Sequence, residues 1–339
     1  MKLGLTLGYS GAHMYLPMDL VLEAEKLGFD SVWSAEAWGS DAVSPLAWIG
    51  AKTSTIKLGT AIMQMPGRSP ANTAMTAMTL DALSGGRFIL GLGTSGPQVV
   101  EGWHGRPFHK TLTWMREYIT IVRTILQREE HLRFDGVHYQ LPYEGPNSTH
   151  QGKSLKSILH GRPDIPIFTG SMAPKSQQLS AELGDGCILT CMNPERPEVL
   201  EENFSLGLER AGKTRDQFEL CPSIAVGVGP AEFIRPMLKK SLALYIGGMG
   251  SRKKNFYKDY VCKVGFEAEA HHIQDLYLDG KKKEAIAAVP DAMVDTFHLV
   301  GSPEQIRDRL EVWKESGTDT LLIGCQQIEA IRLLGELNS

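Results

Sequence analysis

The residues best placed to do chemistry lie in the run Leu80-Asp81-Ala82-Leu83-Ser84-Gly85-Gly86-Arg87-Phe88-Ile89-Leu90-Gly91-Leu92-Gly93-Thr94-Ser95-Gly96. It reads as a helix end, a glycine turn, a short apolar strand and a glycine-rich loop at the strand's carboxyl end. Glycines at such a point let backbone amides approach a phosphate or a planar ring, and Thr94 and Ser95 add hydroxyls. Gly91, Gly93 and Gly96 match the dinucleotide fingerprint, but that fingerprint opens a helix within an early βαβ unit. Here Pro97, Gly102, Gly105 and Pro107 break the stretch that follows, which argues against a Rossmann domain. A barrel turn without a ligand accounts for the same residues. A second loop, Thr169-Gly170-Ser171-Met172-Ala173-Pro174-Lys175-Ser176, offers a glycine, hydroxyls, a helix start and the charge of Lys175, a set that suits a phosphate. A helix cap with an exposed lysine fits it equally well. His104 and His109 sit in the broken loop after the first run, each a candidate acid–base group or a surface histidine. The adjacent His271 and His272 cannot share one helix face, which weakens a metal reading. No His-Glu-x-x-His or Gly-x-Ser-x-Gly motif is present, so zinc-protease and serine-hydrolase readings lose support.

The elements that must hold these loops alternate between apolar strand-like runs and helix-period segments, the pattern of parallel βα units. Strands are predicted at Leu3 to Gly8, Ser31 to Ala35, Ile56 to Met63, Phe88 to Leu92, Ile165 to Thr169, Gly186 to Thr190, Leu220 to Val228 and Thr320 to Gly324. Between them, Pro17 suits a first helical turn and Gly28 a stop, while Leu112, Met115, Ile119, Val122 and Leu126 recur at helical spacing. Ser302-Pro303-Glu304-Gln305 predicts a capping box ahead of Ile306, Leu310 and Trp313. Eight strands in series predict a (β/α)8 TIM barrel over residues 1–339 as one domain. The alternation fails only between the seventh and eighth strands, where residues of about 230–300 form a helical insertion. Placed after a strand, it either covers a substrate or packs on the barrel side. Lys281-Lys282-Lys283 reads as a solvated helix face.

With 339 residues and a formal net charge of −4, the chain has no basic field of the kind nucleic acids or acidic membranes require. Met1 to Gly8 reads as a first strand rather than a signal peptide, and no apolar stretch approaches the ~20 residues of a membrane helix. A soluble, cytoplasmic protein acting on a small molecule is therefore expected. Its five cysteines lack Cys-x-x-Cys spacing; Cys187 and Cys191 flank a strand where packing is a better reading than metal binding.

Asp30-Ser31-Val32-Trp33 leading to Glu36, Lys57-Leu58-Gly59-Thr60, Leu83-Ser84-Gly85-Gly86-Arg87 and Gly184-Asp185-Gly186 together resemble, in order, the luciferase-like superfamily. Val300-Gly301-Ser302-Pro303-Glu304 and Arg332-Leu333-Leu334-Gly335-Glu336-Leu337 extend the resemblance to its F420-dependent oxidoreductases, methylenetetrahydromethanopterin reductase among them. This implies a deazaflavin, coenzyme F420, at the carboxyl ends of the strands, against a bulge whose non-prolyl cis peptide falls at Ala61-Ile62; FMN, with monooxygenase chemistry, is the alternative. A non-catalytic flavin-binding barrel is a third reading. The resemblance also implies cofactor contacts from Glu36, Gln64, Gly93, Thr94 and Ser95, a phosphate-side loop of Met172, Ala173, Lys175 and Ser176, and a homodimer. Glu36 is the expected proton relay, with His104 second. Ala37 and Gly96 stand where the family's sugar-phosphate dehydrogenases carry a histidine and a glutamate, which argues against that activity. Trp38 and the Trp103-His104 pair suggest a flatter, more apolar substrate face or aromatic core packing.

Overall fold

The computed structural model describes residues 1–8 and 10–338. Its parallel strands are β1 (Lys2–Thr6), β2 (Ser31–Ser34), β3 (Lys57–Thr60), β4 (Phe88–Gly93), β5 (Ile167–Gly170), β6 (Gly186–Thr190), β7 (Glu219–Val228) and β8 (Thr320–Gly324). Each pairs with the next, and β8 returns to β1 with Leu3 opposite Leu321, so the sheet closes. All eight predicted strands are present, and the closed barrel is the predicted fold.

Two layers of apolar packing follow from the strand pleat. Inside the barrel lie Trp33, Ile89, Phe168, Ile188, Cys221 and Leu322. Trp33 is the largest of them; its ring centroid stands 5.7 Å from that of Phe168, and its Nε1 donates to Ser31 Oγ at 2.8 Å. Gly59 is what admits it, since a Cβ there would lie 2.2 Å from the indole. The outer layer joins the strands to helices α1 (Met18–Lys26), α2 (Val43–Gly50), α3 (Pro70–Leu83), α4 (Thr111–Gln127), α5 (Pro174–Leu183), α6 (Glu198–Ala211), α7 (Pro303–Glu315) and α8 (Ile328–Leu337). On α4 the predicted stripe is buried at Met115, Ile119, Val122 and Leu126, while Leu112 remains exposed. On α7, Ser302 and Gln305 make both halves of the capping box.

Between β7 and β8 the chain leaves the alternation for the helices Ala231–Ala243, Phe256–Val261, Glu267–Leu278, Lys282–Ala287 and Asp291–Phe297, then adds Leu299–Gly301 beside the end of β7. Val264 in this excursion accepts a hydrogen bond from Asn193 Nδ2 on the loop after β6, which ties it to the carboxyl-end rim. A second excursion, absent from the sequence reading, fills residues 128–166 and contains a small antiparallel hairpin, Phe134–Asp135 against Gln140–Leu141. It is held by buried Glu117 on α4, which accepts from the amides of Val137 and His138 at 2.6 and 2.8 Å. None of the helices among the described residues is long and apolar enough to cross a membrane.

Candidate active site

The loops after β2, β3 and β4 converge on one polar cluster. Glu36, two residues beyond β2, forms a two-pronged ion pair with Arg68, Oε2 to Nη1 at 2.7 Å and Oε1 to Nη2 at 2.9 Å. Its carboxylate also accepts from the amides of Gln64 at 2.8 Å and Ala42 at 3.3 Å. The side chains of Glu36 and Arg68 are only 9% and 18% exposed. Four donors thus occupy the two carboxylate oxygens, and the geometry is that of an anchor joining the loops after β2 and β3. Arg68 is secured in turn by Tyr118 of α4, whose hydroxyl reaches the Arg68 carbonyl at 3.3 Å and Thr73 Oγ1 at 2.6 Å.

Gln64 is buried and links this anchor to His104. Its Nε2 donates to the Glu36 carbonyl at 3.2 Å, and its Oε1 lies 2.8 Å from His104 Nε2. The other edge of the imidazole rests near Gly67, where a Cβ would lie 3.3 Å from Cε1. Partial burial lowers the His104 pKa from its ordinary value, opposed by the charge of Glu36 and assisted by Arg106 and Arg68. The ring is therefore neutral at neutral pH. His109 lies apart from the cluster, its ring 4.8 Å from that of His138 on the hairpin excursion.

Just ahead of Gln64, the Ala61-Ile62 peptide is cis. Both residues are partly exposed and lie on the barrel's interior core. The side chain of Ile62 runs between the ends of β4 and β5: a Cβ on Gly93 would meet its Cδ1 at 2.6 Å, and one on Gly170 its Cγ2 at 3.1 Å. Gly93 thus makes room first for Ile62, and a ligand would meet the Ile62 side chain at that point rather than bare backbone. Gly91 is likewise a packing glycine, its missing Cβ only 1.8 Å from the Thr60 carbonyl oxygen. Barrel packing thus accounts for Gly91 and Gly93, whereas Gly96 is the N-cap of a short helix, Pro97–Gly102, where the sequence reading expected only a broken stretch. Thr94 and Ser95 follow at the mouth, both partly exposed, with Ser95 in the left-handed region at φ 60°.

Met172 and Ala173 lead into α5 and are partly exposed. Ala173 is its N-cap with no side-chain cap, and no acidic residue lies in the first turn. Ser176 turns its hydroxyl back to the Ala173 carbonyl at 2.8 Å. Lys175 is exposed and lines a shallow cleft with Arg116, Glu182 and Arg210.

Sequence reasoning missed Arg68, although it is the one Lys or Arg between Lys57 and Arg87 and sits just past a strand end. The spacing of a phosphate-binding Gly-x4-Gly-Lys-Thr loop is also met by Gly207, Gly212, Lys213 and Thr214. That segment is the end of a helix: Gly207 packs within α6 against the Gln178 carbonyl, Gly212 caps α6 at φ 65°, and Lys213 Nζ donates to the Gly184 carbonyl at 2.7 Å. It lacks the strand-to-helix turn that a phosphate loop needs. The five cysteines are free, and burial pushes the Cys187 thiol up to about 12 and the Cys191 thiol up to about 11.

Fold and cluster define a (β/α)8 barrel whose polar machinery stands at the carboxyl ends of its strands. Residues 11–320 match the model of the luciferase-like monooxygenase family, and the chain belongs to that family. A Mycobacterium tuberculosis protein, provisionally named a coenzyme F420-dependent oxidoreductase, is 42% identical over 344 residues, covering 99% of each chain. The 5,10-methylenetetrahydromethanopterin reductase of Archaeoglobus fulgidus is 29% identical over 319 residues, covering 92% of this chain and 91% of its own. Among solved structures, the coenzyme F420-dependent tetrahydromethanopterin reductase of Methanopyrus kandleri superposes with a TM-score of 0.77 at 22% identity, over 99% of this chain and 97% of that one, and so shares the fold.

Proposed function

We propose that this chain is an F420-dependent oxidoreductase that moves a hydride between the deazaflavin and a carbonyl or alcohol, imine or activated alkene. The observation that carries this reading is the end-to-end match to the mycobacterial relative, at 42% identity. The mouth suits such a cofactor: Ala61 and Ile62 offer an apolar floor, and the uncapped start of α5 offers backbone amides without a competing acid to an anionic tail. The hydroxyls of Thr94 and Ser95 stand beside that floor. When bound, the deazaflavin supplies the carbon that accepts or gives hydride. The chain's own residues orient substrate and handle its proton. His104 is the group suited to the proton, because its Nδ1 has no hydrogen-bond partner among the described residues, whereas both Glu36 oxygens are occupied. Glu36 and Arg68 hold the rim in place. Trp38 and Trp103, 64% and 65% exposed, flank the cluster and favour an apolar, flat substrate.

Titration of the purified protein with F420 and with FMN, followed by absorbance and fluorescence, tests this. Binding of F420 and its reduction or re-oxidation by a member of an alcohol, ketone, imine and enone panel is expected. Tight FMN binding, indifference to F420 and substrate-dependent oxygen uptake would establish the monooxygenase alternative. Cofactor binding without turnover across the panel would favour a binding barrel.

We also propose a homodimer through α2 and α3. Helix α2 has no charged residue, and the one charge on α3, Asp81, is buried, while Trp48 and Met75 are exposed. An uncharged face sets no like charges opposite one another across a two-fold axis. A monomer by light scattering at working concentration would remove this claim.

A further inference from the structure

We propose that Gln64 is a positioning residue that commits His104 to its Nε2–H tautomer, making Nδ1 the atom that takes the hydroxyl proton of an alcohol substrate. The substrate part of this rests on the hydride-transfer reading above; the tautomer does not.

The argument begins with the Gln64 amide. Its two ends face different partners, the Glu36 carbonyl at 3.2 Å and His104 Nε2 at 2.8 Å. A carbonyl only accepts, so the NH2 end must face Glu36. A flipped amide would set oxygen against oxygen and leave a buried acceptor unpaired. The Gln64 oxygen is therefore directed at His104, and Nε2 must carry the hydrogen. The backbone of Gln64 is secured independently by its amide bond to Glu36 Oε2 at 2.8 Å. The cluster thus fixes a tautomer through a chain of single-purpose groups: Arg68 holds Glu36, Glu36 holds Gln64, and Gln64 holds the ring.

What remains is Nδ1. No described residue hydrogen-bonds it, and in this half-buried ring the atom is not sealed from solvent. The charged groups facing the ring are Glu36, Arg68 and Arg106. Because Glu36 and Arg68 neutralise each other in their ion pair, burial dominates and the ring rests neutral, with a lone pair on Nδ1. With F420 bound, the cofactor would take up the alcohol's C–H electron pair as hydride. The O–H proton passes to Nδ1, and the carbonyl π bond forms. Reduction runs the same path backwards from the imidazolium.

The experiment is long-range proton–nitrogen NMR of the uniformly ¹⁵N-labelled full-length protein without cofactor, with His104 assigned by its loss in His104→Phe. A neutral Nε2–H ring titrating below an ordinary histidine is expected in the wild type. Gln64→Met, which keeps length but removes both amide groups, should produce a mixture of tautomers. Gln64→Glu should raise the His104 pKa, because a carboxylate favours the imidazolium. In the F420-loaded enzyme oxidising an alcohol, His104→Phe should abolish the acidic limb of the kcat–pH profile with a loss of ~10²-fold. Gln64→Met should lower kcat about tenfold, with KM for the alcohol little changed, and Gln64→Glu should move the limb to higher pH. An Nδ1–H ring in the wild type, or an unchanged tautomer in Gln64→Met, would overturn the assignment whatever the cofactor proves to be. Failure of F420 to bind while the NMR result stands would remove the alcohol step and the function above, but not the role of Gln64.

Discussion

Removing one side of the Glu36–Arg68 pair separates an anchoring carboxylate from a proton carrier. In Glu36→Gln, one oxygen becomes an NH2 that must face either Gln64 N and Arg68 Nη1, or Ala42 N and Arg68 Nη2, and all of these are donors. Two hydrogen bonds go, one of them to a charged partner, and the remaining pair loses its charge. At ~1 kcal/mol for the neutral bond and ~2 for the charged one, the loss is about 3 kcal/mol. Arg68→Met instead strands a carboxylate that is 9% exposed, at a cost of ~3–5 kcal/mol. Once either partner is gone, the second removal does less damage, so the double variant should fall short of additivity by ~2 kcal/mol. Urea unfolding followed by tryptophan fluorescence measures all three; at ~2 °C per kcal/mol, Glu36→Gln should melt about 6 °C lower. Kinetics supply the second arm. An anchor predicts that both single variants reduce turnover while the acidic limb of the pH profile survives in each. If Glu36→Gln stays within ~0.5 kcal/mol of the wild type, shows no coupling to Arg68 and loses the pH limb, the anchoring argument is wrong and Glu36 is the relay.

Gly59→Ala should destabilise by ~3 kcal/mol or more in chemical denaturation, because its Cβ would lie 2.2 to 2.5 Å from three atoms of the Trp33 ring, and Trp33→Leu should recover part of that loss. Burial pushes the His298 pKa down to about 4 from 6.5. Its folded pKa lies below the unfolded one, so its contribution is complete above pH 6.5 and is lost as pH falls toward 4, by up to ~3 kcal/mol. His298→Asn, which keeps an acceptor for the Ala225 amide, should flatten the stability curve in that window; an unchanged slope would clear His298 of the effect. Ala173→Asp should stabilise α5 by ~1 kcal/mol as an N-cap while weakening F420 binding, measured by fluorescence titration, about tenfold or more. Unchanged affinity in a more stable protein would move the anionic tail away from α5.

The barrel was legible because its strands are buried on both faces and read as short apolar runs: Phe88–Gly93 is buried along its whole length. The capping box before α7 was legible because capping is local, three residues from donor to acceptor. The hairpin excursion was not. Its strands are two residues each, too short for a period, and its order comes from Glu117, a carboxylate that sequence alone assigns to the surface and that the fold buries beneath two amides. The site divides in the same way. The family resemblance pointed to Glu36 and Gln64, and residue type and loop position to His104, but what each one does depends on partners 28 to 40 positions away. The glycines of β4 illustrate the converse: their spacing suggested a ligand, and their neighbours turn out to be Thr60 and Ile62.

The division of labour around the mouth follows from where burial stops. Polar groups tie the loops after β2, β3 and β4 to one another, and such a network is stable only if every member keeps its partner, so those loops have little freedom to drift. Trp38 and Trp103 stand one or two residues outside that network, next to Glu36 and His104. Each is about two-thirds exposed, so neither contributes much to the core. A large apolar surface left in water has a cost that packing elsewhere does not recover, and it becomes favourable when an apolar ligand covers it. Under the function proposed above, the rigid cluster would set where a reacting proton is handled, and the indoles beside it which substrates come there. Replacing Trp103 should change KM among substrates of different girth and leave the His104 limb of the pH profile in place.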